Sequence, residues 1–187
     1  MAKLDQVLAP IGNANNANLS AFEQHGRKFL MYHGWADSLV PPQDDINYFV
    51  RLAKSHNEQE SNGYGGLTNT LKSFRLFMAP GMGHCFGGPG PNVFGGADNP
   101  GGPADPAHNV LLALQQWVER GLAPDRIIAT KYPADDQTRP AAMTRPLCVF
   151  PKVPIYGGAG DTTDAASFVC AQSLVPNPPM PPPVYLQ

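Results

Sequence analysis

Apolar residues along the chain fall into short blocks, most of them closed by glycine or proline. Lys28-Phe-Leu-Met-Tyr-His33 is a near-continuous apolar run ending at Gly34, which predicts a strand buried on both faces. Pro41-Pro42 then opens a helix. Through Gln43–Lys54, Ile46, Phe49, Val50 and Ala53 recur at helical spacing, with Asp44 and Asp45 in the first turn, where the helix dipole favours them. After a polar loop, Ser55–Thr70, the segment Leu71–Met78 alternates as a strand and stops at Pro80-Gly81. Asp105-Pro106 opens an amphipathic helix running to Arg120, with Val110, Leu111, Leu114, Trp117 and Val118 as its apolar stripe and Gly121 as its stop. Ile127–Tyr132 reads as a further strand, and the chain beyond it as irregular. At the front, residues 1–26 form a leading segment: an apolar stretch to Pro10, an asparagine-rich run suited to turns, and a short helix that Ser20 and Glu23 would cap. Residues 173–187 form a proline-rich tail, with Pro176–Pro183 extended as polyproline.

Strand, loop, helix, strand, long loop, helix: this order predicts an α/β fold with parallel strands over residues 27–172. In such sheets chemistry collects in the loops at the carboxyl ends of strands. The segment 81–106 is one such loop and is far longer than the usual connection of about 4–6 residues.

Composition narrows the function. The 187 residues include 21 prolines and 19 glycines, and only 15% are charged, so loops and turns take up much of the chain. A formal charge of −2 leaves no electrostatic footprint for nucleic acid or an anionic membrane. No apolar run approaches the roughly 18 residues of a membrane span. The opening MAKLDQVLAP lacks the apolar core of a signal peptide. Three cysteines is an odd number, so one thiol needs a partner or a reason.

Two loops carry candidate chemistry. His33-Gly34-Trp35-Ala36-Asp37 follows the first strand, and Gly81-Met82-Gly83-His84-Cys85 follows the second. Asp37 reads in two ways: as a cap for the turn before Pro41-Pro42, or as a carboxylate that orients a histidine. A carboxylate on one imidazole nitrogen fixes the tautomer and frees the other nitrogen as a general base. Asp37 and His84, each just past a strand, fit that pairing. A nucleophile is missing, because no Gly-x-Ser-x-Gly elbow occurs in the sequence. Cys85 is a poor substitute, since adjacent side chains project in different directions. Other residues read as structural. His25, His56 and His108 are expected in solvent, and His33 is expected to pack at its strand end. Asp161 and Asp164 suit a turn better than a calcium loop. Gly157–Gly160 does not fit a dinucleotide fingerprint. Trp35 and Trp117 are core candidates, Trp35 being placed to border a pocket.

HGWADSLVPP, then APGMGHCFGGPGP, WVERGLAPDRIIA, RPLCVFPKVPIYGGAGD and ASFVC form an ordered set that closely resembles the C-terminal part of the tannase/feruloyl esterase family, from about residue 3 to residue 172. The resemblance implies the C-terminal portion of an α/β-hydrolase fold, whose chain order is Ser, then Asp, then His. It implies a serine carboxylic-ester hydrolase acting on small aromatic (hydroxycinnamoyl or galloyl) esters, with Asp37 as triad acid and His84 as triad base. Cys85 matches a family cysteine bonded to the cysteine before the nucleophilic serine, a partner outside this chain. Cys148 and Cys170 match a second family disulfide. Residues 1–26 resemble the family's return from an inserted lid to the hydrolase core. The nucleophile elbow, the oxyanion hole and the lid, which often holds a structural calcium, have no counterpart here, so no cofactor is expected in these residues. The expectation is an inactive chain unless the N-terminal half joins it as partner. The resemblance implies a secreted or periplasmic full-length protein. The alternative is a non-catalytic binding or structural fragment derived from such an esterase.

Overall fold

The computed structural model describes residues 2–58 and 67–172. The proline-rich tail expected at 173–187, and the middle of the polar loop before Thr70, lie outside the described residues.

Two parallel strands make the centre. β1 (Phe29–Gly34) pairs with β2 (Phe74–Ala79), from Phe29 opposite Phe74 to Gly34 opposite Ala79. Every residue of β2 is buried. Phe74, Leu76 and Met78 face one apolar cluster; Phe77 and Ala79 face another. So the segment expected to alternate is the strand covered on both faces, and β1, expected to be fully buried, is only half-buried along Phe29–Tyr32. The preceding Leu71–Ser73 is not strand: it lies in the short helix α4 (Thr70–Ser73), after α1 (Ala2–Gly12), α2 (Ser20–Gln24) and α3 (Pro42–Ser55).

The helix α3 forms as expected, with Pro41-Pro42 at its start and Asp44 and Asp45 in its first turn. Its buried face is Ile46, Phe49, Leu52 and Ala53, which pack on Phe74, Leu76 and Phe150. By contrast α5 (Val110–Arg120) begins later than expected. Asn109 caps it, its side-chain oxygen accepting from the Leu111 and Leu112 amides, while Asp105 closes a separate turn onto Ala107. That start places Val110, Ala113 and Trp117 inward and leaves Leu111 and Val118, expected to be buried, 66% and 58% exposed. Gly121 ends the helix at φ 70°, a left-handed cap.

The apolar stretch before Pro10, given no element from the sequence, is helical, as α1. Two expectations are corrected outright. Ser20 and Glu23 form no capping box: the Ser20 hydroxyl donates to Asn18, and Glu23 turns to His56 and Ser73. The region past residue 132 is regular rather than irregular. There β4 (Met143–Cys148) pairs antiparallel with β3 (Arg126–Lys131), the strand expected at Ile127–Tyr132, and β5 (Lys152–Tyr156) antiparallel with β6 (Phe168–Gln172). The architecture is mixed α/β, and among the described residues the strands run parallel only at β1–β2.

Candidate active site

Both loops that leave the parallel pair stay in register with it. The Trp35 amide donates to the Ala79 carbonyl at 3.0 Å and the Ala36 amide to the Met82 carbonyl at 2.9 Å. Gly34 makes this crossing possible, because a Cβ there would run into the Met82 and Gly83 carbonyl oxygens. The two loops therefore lie backbone against backbone, and their side chains converge.

Asp37 is the centre of that convergence, with its side chain only 4% exposed. Its Oδ1 accepts from the Leu39 and Val40 amides at 2.8 and 2.9 Å. Its Oδ2 accepts from His84 Nδ1 at 2.7 Å and lies 3.1 Å from His33 Nε2. Burial pushes the Asp37 carboxyl up, but the Val40 amide, His84 and the Leu39 amide together hold it well below the usual carboxylate range. It is an ionised acceptor at neutral pH. The His84 side chain is 43% exposed, and its Nε2 has no hydrogen-bond partner among the described residues. The arrangement can therefore do one thing directly: hold an imidazole in one tautomer with a basic nitrogen open to whatever approaches.

The long loop 81–106 carries no helix or strand, yet it is firmly tied. The Lys131 ammonium donates to the Gly88 carbonyl at 2.6 Å and to Asp135 at 2.5 Å. Val93 and Thr130 exchange two backbone hydrogen bonds. Tyr32 stacks edge-on against Phe94 and accepts from the Ala97 amide at 3.1 Å. His84 thus sits on a scaffold rather than a tether.

Cys85 is half-buried, unbonded, and held at φ 65°. Burial, the Asp98 carboxylate and Asp37 all push its thiol up, which disfavours the thiolate a nucleophile needs. Cys148 and Cys170 are joined in a disulfide between β4 and β6, elements that carry no member of the Asp37–His84 pair. Among the described residues no group of three or more His, Cys, Asp or Glu side chains is gathered to hold a metal ion. Asp161 and Asp164 cap turns, accepting from Thr163 and Ala166.

One histidine departs from expectation, and another has a contact that was not expected. His56, expected in solvent, is braced between Thr70 and Glu23 at 2.9 and 3.1 Å. His33 packs at its strand end as expected, but it also touches Asp37, a role the sequence reading did not give it. The available signal was its spacing, His33 and Asp37 lying four residues apart across the end of a strand.

A carboxylate in the loop beyond β1 thus braces an exposed histidine in the loop beyond β2, on a mixed α/β frame. A family model described as "Tannase and feruloyl esterase" matches residues 2–171, and the chain belongs to that family of ester hydrolases. It is 42% identical over 172 residues to an uncharacterized esterase of Xanthomonas campestris pv. campestris, covering 90% of this chain and 30% of that protein. It is 36% identical over 158 residues to the mono(2-hydroxyethyl) terephthalate hydrolase of Piscinibacter sakaiensis, covering 84% of this chain and 22% of that protein. Among solved structures, feruloyl esterase B from Aspergillus oryzae superposes with a TM-score of 0.71 at 31% identity, over 83% of this chain and 29% of that one. The chain therefore spans less than a third of the length of each of these relatives.

Proposed function

We propose that Asp37 and His84 are the acid and base of a serine carboxylic-ester hydrolase acting on small aromatic esters of the hydroxycinnamoyl or galloyl type. The observation that carries the reading is the 2.7 Å contact from Asp37 to His84 Nδ1, with Nε2 left open. In this reading β1 and β2 are late parallel strands of an α/β-hydrolase domain, and each delivers one catalytic residue from its carboxyl end. His84 Nε2 takes the proton of a serine hydroxyl as that oxygen attacks the ester carbonyl, and Asp37 stabilises the imidazolium that results. The proton then passes to the leaving alcohol. His84 next deprotonates water, which cleaves the acyl-enzyme.

The serine and the oxyanion donors come from polypeptide outside these 187 residues, which hold no nucleophile elbow. Cys85, unbonded here, is the natural attachment point for a cysteine beside that serine. The disulfide Cys148–Cys170 fits an oxidising, extracytoplasmic setting. The 187-residue chain alone should release no alcohol from methyl ferulate or methyl gallate above the buffer rate. Joined to the segment bearing the serine it should turn these esters over, and His84→Ala should then lower kcat by about 10³-fold or more. A near-normal rate in that variant would overturn the assignment.

A further inference from the structure

His33, at the end of β1, is 9% exposed, and every group around its ring is an acceptor. Its Nε2 lies 3.1 Å from the Val40 carbonyl oxygen and 3.1 Å from Asp37 Oδ2. A carbonyl oxygen only accepts, so Nε2 carries a proton. Its Nδ1 lies 2.8 Å from Asp45 Oδ2, on the first turn of α3. A carboxylate at neutral pH likewise only accepts, so Nδ1 carries one too. Asp37 and Asp45 are the charged side chains within ion-pair distance of this ring among the described residues.

We infer that His33, with an acceptor at each ring nitrogen, is held as an imidazolium whose role is to position Asp37 and offset its charge for His84. It is a positioning residue that acts through its ion pair with Asp37, which in turn holds His84. The inference rests on the Asp37–His84 pair being the acid–base pair proposed above. Asp45, His33 and Asp37 form a row of alternating sign with one net negative charge. A single net charge is enough to stabilise His84 when it takes up a proton. Were His33 neutral, the Asp37 carboxylate on His84 and the Asp45 carboxylate behind it would both lack a compensating charge and would favour the protonated form of His84. His33 also places its ring beside the Asp37 carboxylate, 3.1 Å from Oδ2, while the Leu39 and Val40 amides and His84 donate to that carboxylate. Through Asp45 the site is tied to α3, and the entry angle of that helix becomes part of the geometry of the acid.

The test is nitrogen-15 spectroscopy of the 187-residue chain with labelled histidines. At neutral pH both ring nitrogens of His33 should be protonated; a neutral, single-tautomer ring would overturn the inference. In His33→Gln, the His84 ring should change form at a higher pH than in the unmodified chain. An unchanged midpoint in a folded variant would also overturn it. Should His33→Gln not fold, Asp45→Asn, at a side chain 27% exposed, replaces it. There His33 should lose its Nδ1 proton at neutral pH, and retention of both protons would count against the role of Asp45. None of these readouts needs ester turnover, so failure here is separable from failure of the hydrolase assignment.

Discussion

Asp37 illustrates how much one side chain can carry. The sequence offered two readings of it, a turn cap and an acid behind a histidine, and the structure assigns one oxygen to each. Oδ1 holds the turn and thereby fixes where Oδ2 points. Glu58 makes the same use of a carboxylate away from the site. It is 9% exposed and accepts from the Asn69 amide, the Thr70 amide at 3.0 Å and the Thr70 hydroxyl at 2.7 Å. Burial raises its carboxyl, but these donors and the nearby His56 bring it below the ordinary value. In Glu58→Gln one acceptor oxygen becomes an NH₂ facing an N–H or O–H donor, which should cost about 2 kcal/mol at neutral pH. The folded-state value is lowered, so this stabilisation is complete above the ordinary carboxylate value of about 4.3 and fades as pH falls through the lowered one. Urea unfolding of the two proteins should accordingly show a gap at neutral pH that narrows in acid. A gap that widens would refute the assignment.

At the scale of elements, the site depends on the crossing of two loops. Gly34→Ala places a methyl group against the Met82 and Gly83 carbonyls, so the loops must part. We expect a loss of about 1–3 kcal/mol in stability and loss of the low-field Nδ1–H proton signal of the Asp37–His84 bond. Gly12→Ala, where nothing lies within 4 Å, is the control and should change neither. This crossing was legible in outline, because both loops follow apolar runs that end in Gly34 and Pro80-Gly81. The strands β4 and β5 were not, since each carries a proline, Pro146 or Pro154, that normally argues against a strand interior. The inward face of α5 was misjudged for a different reason. Leu111 and Val118 are apolar, but apolar residues are common on surfaces, and only the true start at Val110 fixes which stripe turns inward. His33 escaped notice as part of the site because its second partner, Asp45, sits on another element, and no local pattern announces such a contact.

For the molecule as a whole, β2 divides two apolar clusters and both depend on it. Phe49, Leu52 and Phe150 lie on one side, and Phe94, Ile127 and Leu147 on the other. The β5–β6 hairpin stands apart from this core: none of its strand residues is fully buried, and Val169 is 57% exposed. What ties it down is a handful of contacts to β4. The Arg145 guanidinium lies 4.0 Å from the Phe168 ring, the Ala165 amide donates to the Thr144 hydroxyl at 2.8 Å, and Cys148 is bonded to Cys170. With so little apolar burial of its own, the hairpin should depend on the disulfide far more than the parallel pair does. The bonded cysteines are 22 residues apart, and closing such a loop stabilises by about 3 kcal/mol on the chain-entropy account. Replacing both cysteines with alanine should release most of that locally. Amide exchange would then show residues 152–156 and 168–172 losing protection while Phe74–Ala79 keeps it, with the Asp37–His84 proton signal unchanged. Equal loss of protection in β2 would mean instead that the hairpin is integral to the core, and that the disulfide stabilises the site as well as the elements it joins.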